Sequence, residues 1–189
     1  MLTFDESSHT YRFSGAVVPG VTSILRPLQD FSGIPPQVLA AKADLGRRVH
    51  SACEFLDEDD LDESTIEDDV APYLDAYRLF LAESGALVLL NERRVYHSLY
   101  GYAGQLDRVL SFNDETWLVD LKTCITTPRA AGPQTAAYMA ALSDQRVKRR
   151  AALRLRPDGT YRFEPLDDPN DWAVFMSCLT LKRFLESNT

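Results

Sequence analysis

A chain of 189 residues, 45% hydrophobic and 25% charged, can build one domain with its own core; wholesale disorder is excluded, and no apolar run approaches the roughly 20 residues of a membrane-spanning helix. The start, Met1–Glu6, lacks the basic and apolar stretches of a signal peptide, and three cysteines without a CxxC pair indicate neither a disulfide framework nor a zinc ribbon, so a reducing cytoplasm is the expected compartment. The formal charge of −8 argues against a general nucleic-acid coat, but acid gathers between Asp57 and Asp69, while Lys42, Arg47 and Arg48, and the stretch from Arg146 to Arg156, remain basic.

In chain order, Thr3–Asp5 and Tyr11–Phe13 read as short strands of a hairpin across Glu6-Ser7-Ser8-His9. Val17–Thr22 passes through a turn into a loop. Apolar residues at helical spacing predict a helix from Val38 to about Leu56, with Pro35-Pro36 suited to its first turn. The acidic run beyond reads as a solvated loop. A second helix is expected over Ile66–Ser84, stopped by Gly85. Strands follow at Ala86–Leu90 and Glu92–Tyr96, then at Tyr102–Phe112 and Thr116–Thr123 around the turn Asn113-Asp114-Glu115. Gln134–Leu142 is a short alanine-rich helix. Ala151–Arg156 and Tyr161–Leu166 flank Pro157-Asp158-Gly159, a second hairpin signal, and Asp168-Pro169 opens a last helix. The order predicts one α/β domain with a mixed central sheet: a hairpin and loop over 1–33, a helical part over 34–85, and a sheet core over 86–189.

The segment Gly104-Gln105-Leu106-Asp107 … Asp120-Leu121-Lys122-Thr123 carries the chemistry. Asp120 and Lys122 project to one face of their strand, with Leu121 opposite. If Asn113-Asp114 is a two-residue loop, Phe112 faces Glu115 and Asp107 falls opposite Asp120, about 5 Å away at Cβ. Two carboxylates that close need a proton, the Lys122 ammonium or a divalent cation between them. Magnesium or manganese suits such an oxygen-rich site. The plainer alternative is an ion pair on a solvated sheet face. Against it, apolar Val119, Leu121, Leu118 and Val109 suggest a strand buried on both sides, where charges need partners.

On the first helix, His50 and Glu54 are four residues apart and share a face, as do Gln134 and Tyr138 on the short helix. Taken in order, Gly46-x-x-x-His50, Gly104-x-x-Asp107, Asp120-x-Lys122-Thr123 and Gln134-x-x-x-Tyr138 resemble the PD-(D/E)XK nuclease superfamily, in particular its RecB-like, phage-type exonuclease branch. Val18–Leu25 resembles the opening segment of phage-encoded members. The resemblance spans about Val18 to Tyr138 and implies a restriction-endonuclease-like core. It implies that Asp107 and Asp120 ligate Mg2+ or Mn2+ with His50 and the Leu121 carbonyl, and that Lys122 is the catalytic lysine. Gln134 and Tyr138 would support the site or touch the scissile strand, with Glu54 and Glu92 as further acidic candidates. Leu106 replaces the nominal proline of the motif. Some relatives hold an iron–sulfur cluster; Cys53, Cys124 and Cys178 do not match its cysteine pattern, so none is expected.

For a DNA substrate, linear and in one reading single-stranded, Arg47, Arg48 and Arg129 are the expected phosphate contacts. Arg150, Arg154 and Arg156 read equally as DNA contacts or as the charge protection of an edge strand. Tyr96, Tyr100 and Tyr102 read either as base-stacking residues or as core aromatics. The implied activity is a metal-dependent exonuclease of phage-type replication, recombination or DNA degradation, at work in a host cytoplasm with no membrane partner. A non-catalytic DNA- or protein-binding module on the same fold, and a structure-specific endonuclease, are the rival readings.

Overall fold

A computed structural model describes residues 1–6 and 8–187. Strands β1 (Leu2–Asp5), β2 (Thr10–Phe13) and β3 (Ala16–Val18) form a small antiparallel sheet in that order. The first two are the expected hairpin; Ser7 of its connection lies outside the described residues. The third strand replaces the expected loop. Ser14 and Gly15, at φ 50° and 86°, make a two-residue connection between Phe13 and Ala16, and that left-handed backbone matches hairpin twist. One short turn, α1 (Val21–Ile24), follows with Val21 and Ile24 buried.

Helix α2 (Pro36–Asp57) confirms the predicted first helix, with proline in its first turn. Helix α3 (Ala71–Ser84) begins later than Ile66 because Pro72, which has no amide to donate, belongs in a first turn. Gly85, at φ 64°, closes it with a left-handed cap.

The main sheet has the order β4 (Leu87–His97), β5 (Tyr102–Phe112), β6 (Glu115–Lys122), β7 (Val147–Leu155), β8 (Tyr161–Pro165). Only β6 and β7 run parallel, and their crossover carries α4 (Ala131–Leu142). Helix α5 (Asp171–Ser187) completes the chain's described part. The two strands expected on either side of Asn91 are one strand, kinked rather than broken. Its register shifts between Val88 and Leu90, and Glu92 sits at φ 43°.

Apolar residues cover both faces of the sheet. Val109 and Leu118 join the cluster of Ile24, Tyr138 and Phe175, whereas Leu110, Val119 and Leu121 join that of Val49, Tyr77 and Phe80. Strand β6 is therefore sandwiched, as its apolar run suggests, in a mixed α/β fold. The edge-strand reading of the arginine-rich strand does not survive, and Arg150 and Arg154 are engaged within the protein. β7 lies inside the sheet, Arg154 pairs with Glu164 at 2.6 Å and donates to the Ile125 carbonyl, and Arg150 pairs with Asp171 at 2.9 Å. Arg156 follows the strand in the turn to β8. The tyrosines are packing residues: Tyr102 is fully buried with its hydroxyl on the Ala137 carbonyl, Tyr96 stacks on Phe13, and Tyr100 packs against His97 and Trp172.

Candidate metal centre

The β5–β6 hairpin sets the site. Asn113 and Asp114, at φ 51° and 59°, form a two-residue loop, and Phe112 pairs with Glu115. Pairing runs to Arg108–Val119 and ends there. The next step of that register puts Asp107 opposite Asp120, the arrangement the sequence predicts. The Asp107 carboxylate accepts the Leu121 amide at 2.7 Å through Oδ2. A side chain thus occupies the gap where the strands part.

Helix α2 brings His50 to that gap. Its Nε2 lies 3.2 Å from the Leu121 carbonyl, and its Nδ1 lies 3.6 Å from Glu92 Oε1 and 3.7 Å from Asp107 Oδ2. With Nε2 donating to the carbonyl, Nδ1 is the nitrogen turned toward the two acids. One ligand atom each from His50, Glu92 and Asp107 fall within 4.8 Å of one another.

Glu92 reaches this point through its left-handed backbone, a conformation that costs about 1–3 kcal/mol in a non-glycine residue. Two donors fix it: Arg108 Nη1 to Oε1 at 2.7 Å and Gln105 Nε2 to Oε2 at 2.8 Å. Arg108 is wholly buried and also donates to Asp57 at 2.8 Å, whose other oxygen accepts the Tyr77 hydroxyl at 2.8 Å. Arg94 in turn donates to Gln105 Oε1 at 3.2 Å, which orients that amide.

Asp120 is 1% exposed, and neither of its oxygens receives a hydrogen bond among the described residues. Its neighbour is Lys122, with Nζ 2.6 Å from Oδ2. The Asp120 carboxylate stands outside the 4.8 Å trio, so the trio contains Glu92 where the sequence reading has Asp120. Gln134 donates to the Tyr138 hydroxyl at 3.1 Å, and both line the cleft. A glycine at 104 lets the Tyr138 ring approach: a Cβ there would stand 2.5 Å from Cε1.

Burial raises the Asp107 carboxyl to about 6, with the charge of Asp120 adding and that of His50 opposing. Burial pulls the His50 imidazole down, yet Asp107 and Glu92 hold it above its ordinary value. Burial likewise works against the Lys122 ammonium, and Asp120 and Asp107 overcome it. Burial would raise Glu92, but His50, Gln105 and Arg108 keep it below the usual carboxylate range.

His50, Glu92, Asp107, Asp120, Lys122, Gln134 and Tyr138 line one cleft of about 580 Å3. Glu54 lines it without joining the trio, its carboxyl raised by burial and by Glu92. Of the expected phosphate contacts, Arg47 lines the cleft and pairs with Asp44 at 3.0 Å. Arg48 is turned away, held by Asp44, Glu67 and Asp69 at 2.7–3.0 Å, because the acidic loop folds back onto α2. Arg129 is exposed and lies outside the cleft lining. Two groups escaped sequence reading. Arg108 is signalled only as the single cation of a mostly apolar strand, and the N-terminal hairpin, which contributes Phe4, Glu6, His9 and Tyr11 to the cleft, carries no local signal of that docking.

Five carboxylates (Glu6, Glu54, Glu92, Asp107 and Asp120) against Arg47 and Lys122 make the cleft a cation site before an anion site. Its donor set, an imidazole with several carboxylate oxygens and a buried Asp120 carboxylate whose ion-pair partner is Lys122, fits a hard divalent ion. The cysteines stand apart from this donor set, and Cys53, Cys124 and Cys178 are all free thiols. No protein-family model matches the chain, and no curated protein does. Among solved structures it is similar to the crystal structure of SSO0001, at TM-score 0.38 and 17% identity, over 74% of this chain and 70% of that one.

Proposed function

We propose that this chain is a metal-dependent deoxyribonuclease that hydrolyses phosphodiester bonds at the ends of linear DNA. The carrying observation is the junction of the His50–Glu92–Asp107 trio with the buried Asp120–Lys122 ion pair. In this reading His50, Glu92 and Asp107 hold Mg2+ or Mn2+, with Asp120 and the Leu121 carbonyl as neighbouring donors. When bound, the ion supplies Lewis acidity toward a phosphoryl oxygen.

The chain's own residues do the rest. His50 gives its Nε2–H to the Leu121 carbonyl, so Nδ1 faces the acids and is the nitrogen that would lose its proton to take the ion. Lys122 orients the attacking water and offsets charge on the non-bridging oxygens as the water's oxygen bonds to phosphorus and the P–O bond to the leaving oxygen breaks. The proton the water gives up to solvent is balanced by one that the leaving oxygen takes from solvent. Gln134 and Tyr138 line the path of the strand, and Arg47 takes a phosphate at the mouth.

Digestion of end-labelled linear DNA with Mg2+, Mn2+ or chelator tests the proposal. Degradation that needs metal and is lost in Asp120→Asn and Lys122→Ala, both still folded by circular dichroism, supports it. No cleavage with either ion, and no rise in Tm on adding Mn2+, would point to the non-catalytic module. Cleavage of circular single-stranded DNA would replace the exonuclease by an endonuclease.

A further inference from the structure

Behind the metal trio runs a buried chain of hydrogen bonds that ends on helix α3. Glu92 Oε1, the oxygen 3.6 Å from His50 Nδ1, is also the oxygen that accepts Arg108 Nη1 at 2.7 Å. A cation beside His50 therefore shares that oxygen with a fixed guanidinium, whose charge opposes it. Arg108 is wholly buried, so solvent screens that charge little. Its other acidic partner is Asp57, the last residue of α2, which accepts Nε at 2.8 Å with a side chain 1% exposed. Nη1 also donates to the Asp107 carbonyl at 3.3 Å, and Nη2 has no hydrogen-bond partner among the described residues. The guanidinium charge is thus divided between two carboxylates, Asp57 and Glu92.

Asp57 has a second donor. The hydroxyl of Tyr77, fully buried on α3, donates to Asp57 Oδ1 at 2.8 Å. Both donors favour the charged form of Asp57, against the burial that raises its carboxyl. A hydrogen bond draws charge from a carboxylate toward the donor, and in a dry interior the effect passes along a series of such bonds. The Tyr77 hydroxyl so weakens the hold of Asp57 on Arg108, and the guanidinium charge that Asp57 leaves uncompensated falls on Glu92. From this relay we propose that Asp57 and Tyr77 are positioning residues of the metal centre, acting through Arg108 to set how much of the Glu92 charge is left for a divalent cation. That role rests on the metal-dependent reading above and adds a sign to each residue: Asp57 favours the ion, and Tyr77 opposes it. Three hydrogen bonds of 2.7–2.8 Å thereby join α3 to the trio, none of whose members it carries.

The test is the affinity of the full chain for Mn2+ alone, by isothermal calorimetry at about pH 7.5, with Tm in chelator as the measure of stability. Asp57→Asn keeps the shape and removes the charge, and Mn2+ affinity should fall about 10- to 100-fold, as for other partners behind a ligand. Tyr77→Phe keeps the ring, over which Arg108 lies at 5.8 Å, and removes only the hydroxyl. In that variant Mn2+ affinity should rise roughly two- to fourfold. Tm should fall in both, since each loses a buried hydrogen bond. A purely structural role lowers affinity along with Tm in both variants, so the opposite signs are the signature of the relay. Tyr77→Phe added to Asp57→Asn should leave Mn2+ affinity where the Asp57 change alone puts it, because the hydroxyl acts only on the Asp57 charge. An affinity unchanged or lowered in Tyr77→Phe overturns this inference and leaves the metal reading standing, even if Asp57→Asn does not fold. Absence of Mn2+ binding by the unsubstituted chain overturns both.

Discussion

Lys122 Nζ lies 2.6 Å from Asp120 Oδ2, and that ammonium is the sole described neighbour compensating a carboxylate that receives no hydrogen bond. Lys122→Met therefore strands a buried charge, which costs about 3 kcal/mol of stability in addition to activity. A cation in the site compensates the same charge. The rise in Tm on adding Mn2+ should accordingly be larger for Lys122→Met than for the unsubstituted chain, as differential scanning fluorimetry would register. Equal rises in both would mean that the ion does not sense Asp120.

The Glu92 carboxylate is aimed by Gln105 and Arg108 rather than by its own preferred backbone. Gln105→Leu removes one donor without touching the ligand oxygens. Mn2+ affinity measured by calorimetry should fall about 10- to 100-fold, with Tm in chelator little changed. Gln105→Glu, which places a like charge against Glu92, should be worse than Gln105→Leu.

Protonation competes with the ion at Asp107, whose carboxyl burial raises to about 6. Metal binding needs the charged Asp107 and a neutral His50, whose imidazole is held above its ordinary value. Mn2+ affinity should therefore begin to fall about tenfold per pH unit as His50 protonates and fall more steeply once Asp107 protonates as well, with proton release measurable by calorimetry in buffers of different ionisation heat. The linkage for the metal-free chain has the opposite sense. The folded-state value exceeds the unfolded one of 3.8, so the folded chain binds the extra proton, and Asp107 lowers stability as pH rises from about 4 to 6. Added Mn2+ should reverse that slope at Asp107, a difference visible in Tm against pH with and without the ion.

Arg108 is the hub between Asp57 and Glu92 and is wholly buried. Arg108→Leu leaves two acids unmatched and should cost about 3–5 kcal/mol in urea unfolding. Gly104→Ala acts sterically instead: its Cβ would stand 2.5 Å from the Tyr138 ring. Overpacking of that kind costs about 1–3 kcal/mol, and the shift of α4 should lower activity by displacing Gln134.

Much of this arrangement is legible in the residues, and its limits are physical. Period-two alternation and an Asn-Asp turn suffice to set Asp107 against Asp120, because register in a tight hairpin is a local property. The approach of His50 to Leu121 follows from the order of the motifs rather than from any periodicity. What escapes is non-local. Glu92 is named in the sequence as a further acidic candidate, but its way into the trio, through a left-handed residue in β4, is read by an alternating pattern as a break between two strands. Arg150 and Arg154 look like surface charge until Asp171 and Glu164, remote in sequence, arrive to pair with them. The N-terminal hairpin reads correctly as a hairpin, yet nothing within it announces that it will dock beside the acids.

The Asn113–Asp114 connection acts as a ruler for a centre it never touches. One residue inserted there would slip β6 by a single step against β5 and rotate Asp120 and Lys122 toward the α2–α3 side, bringing Leu121 round in their place. Two inserted residues would keep the faces but shift each pairing along the strand. The chain therefore tolerates length change at this bend only in a looped-out form that leaves Phe112 and Glu115 joined.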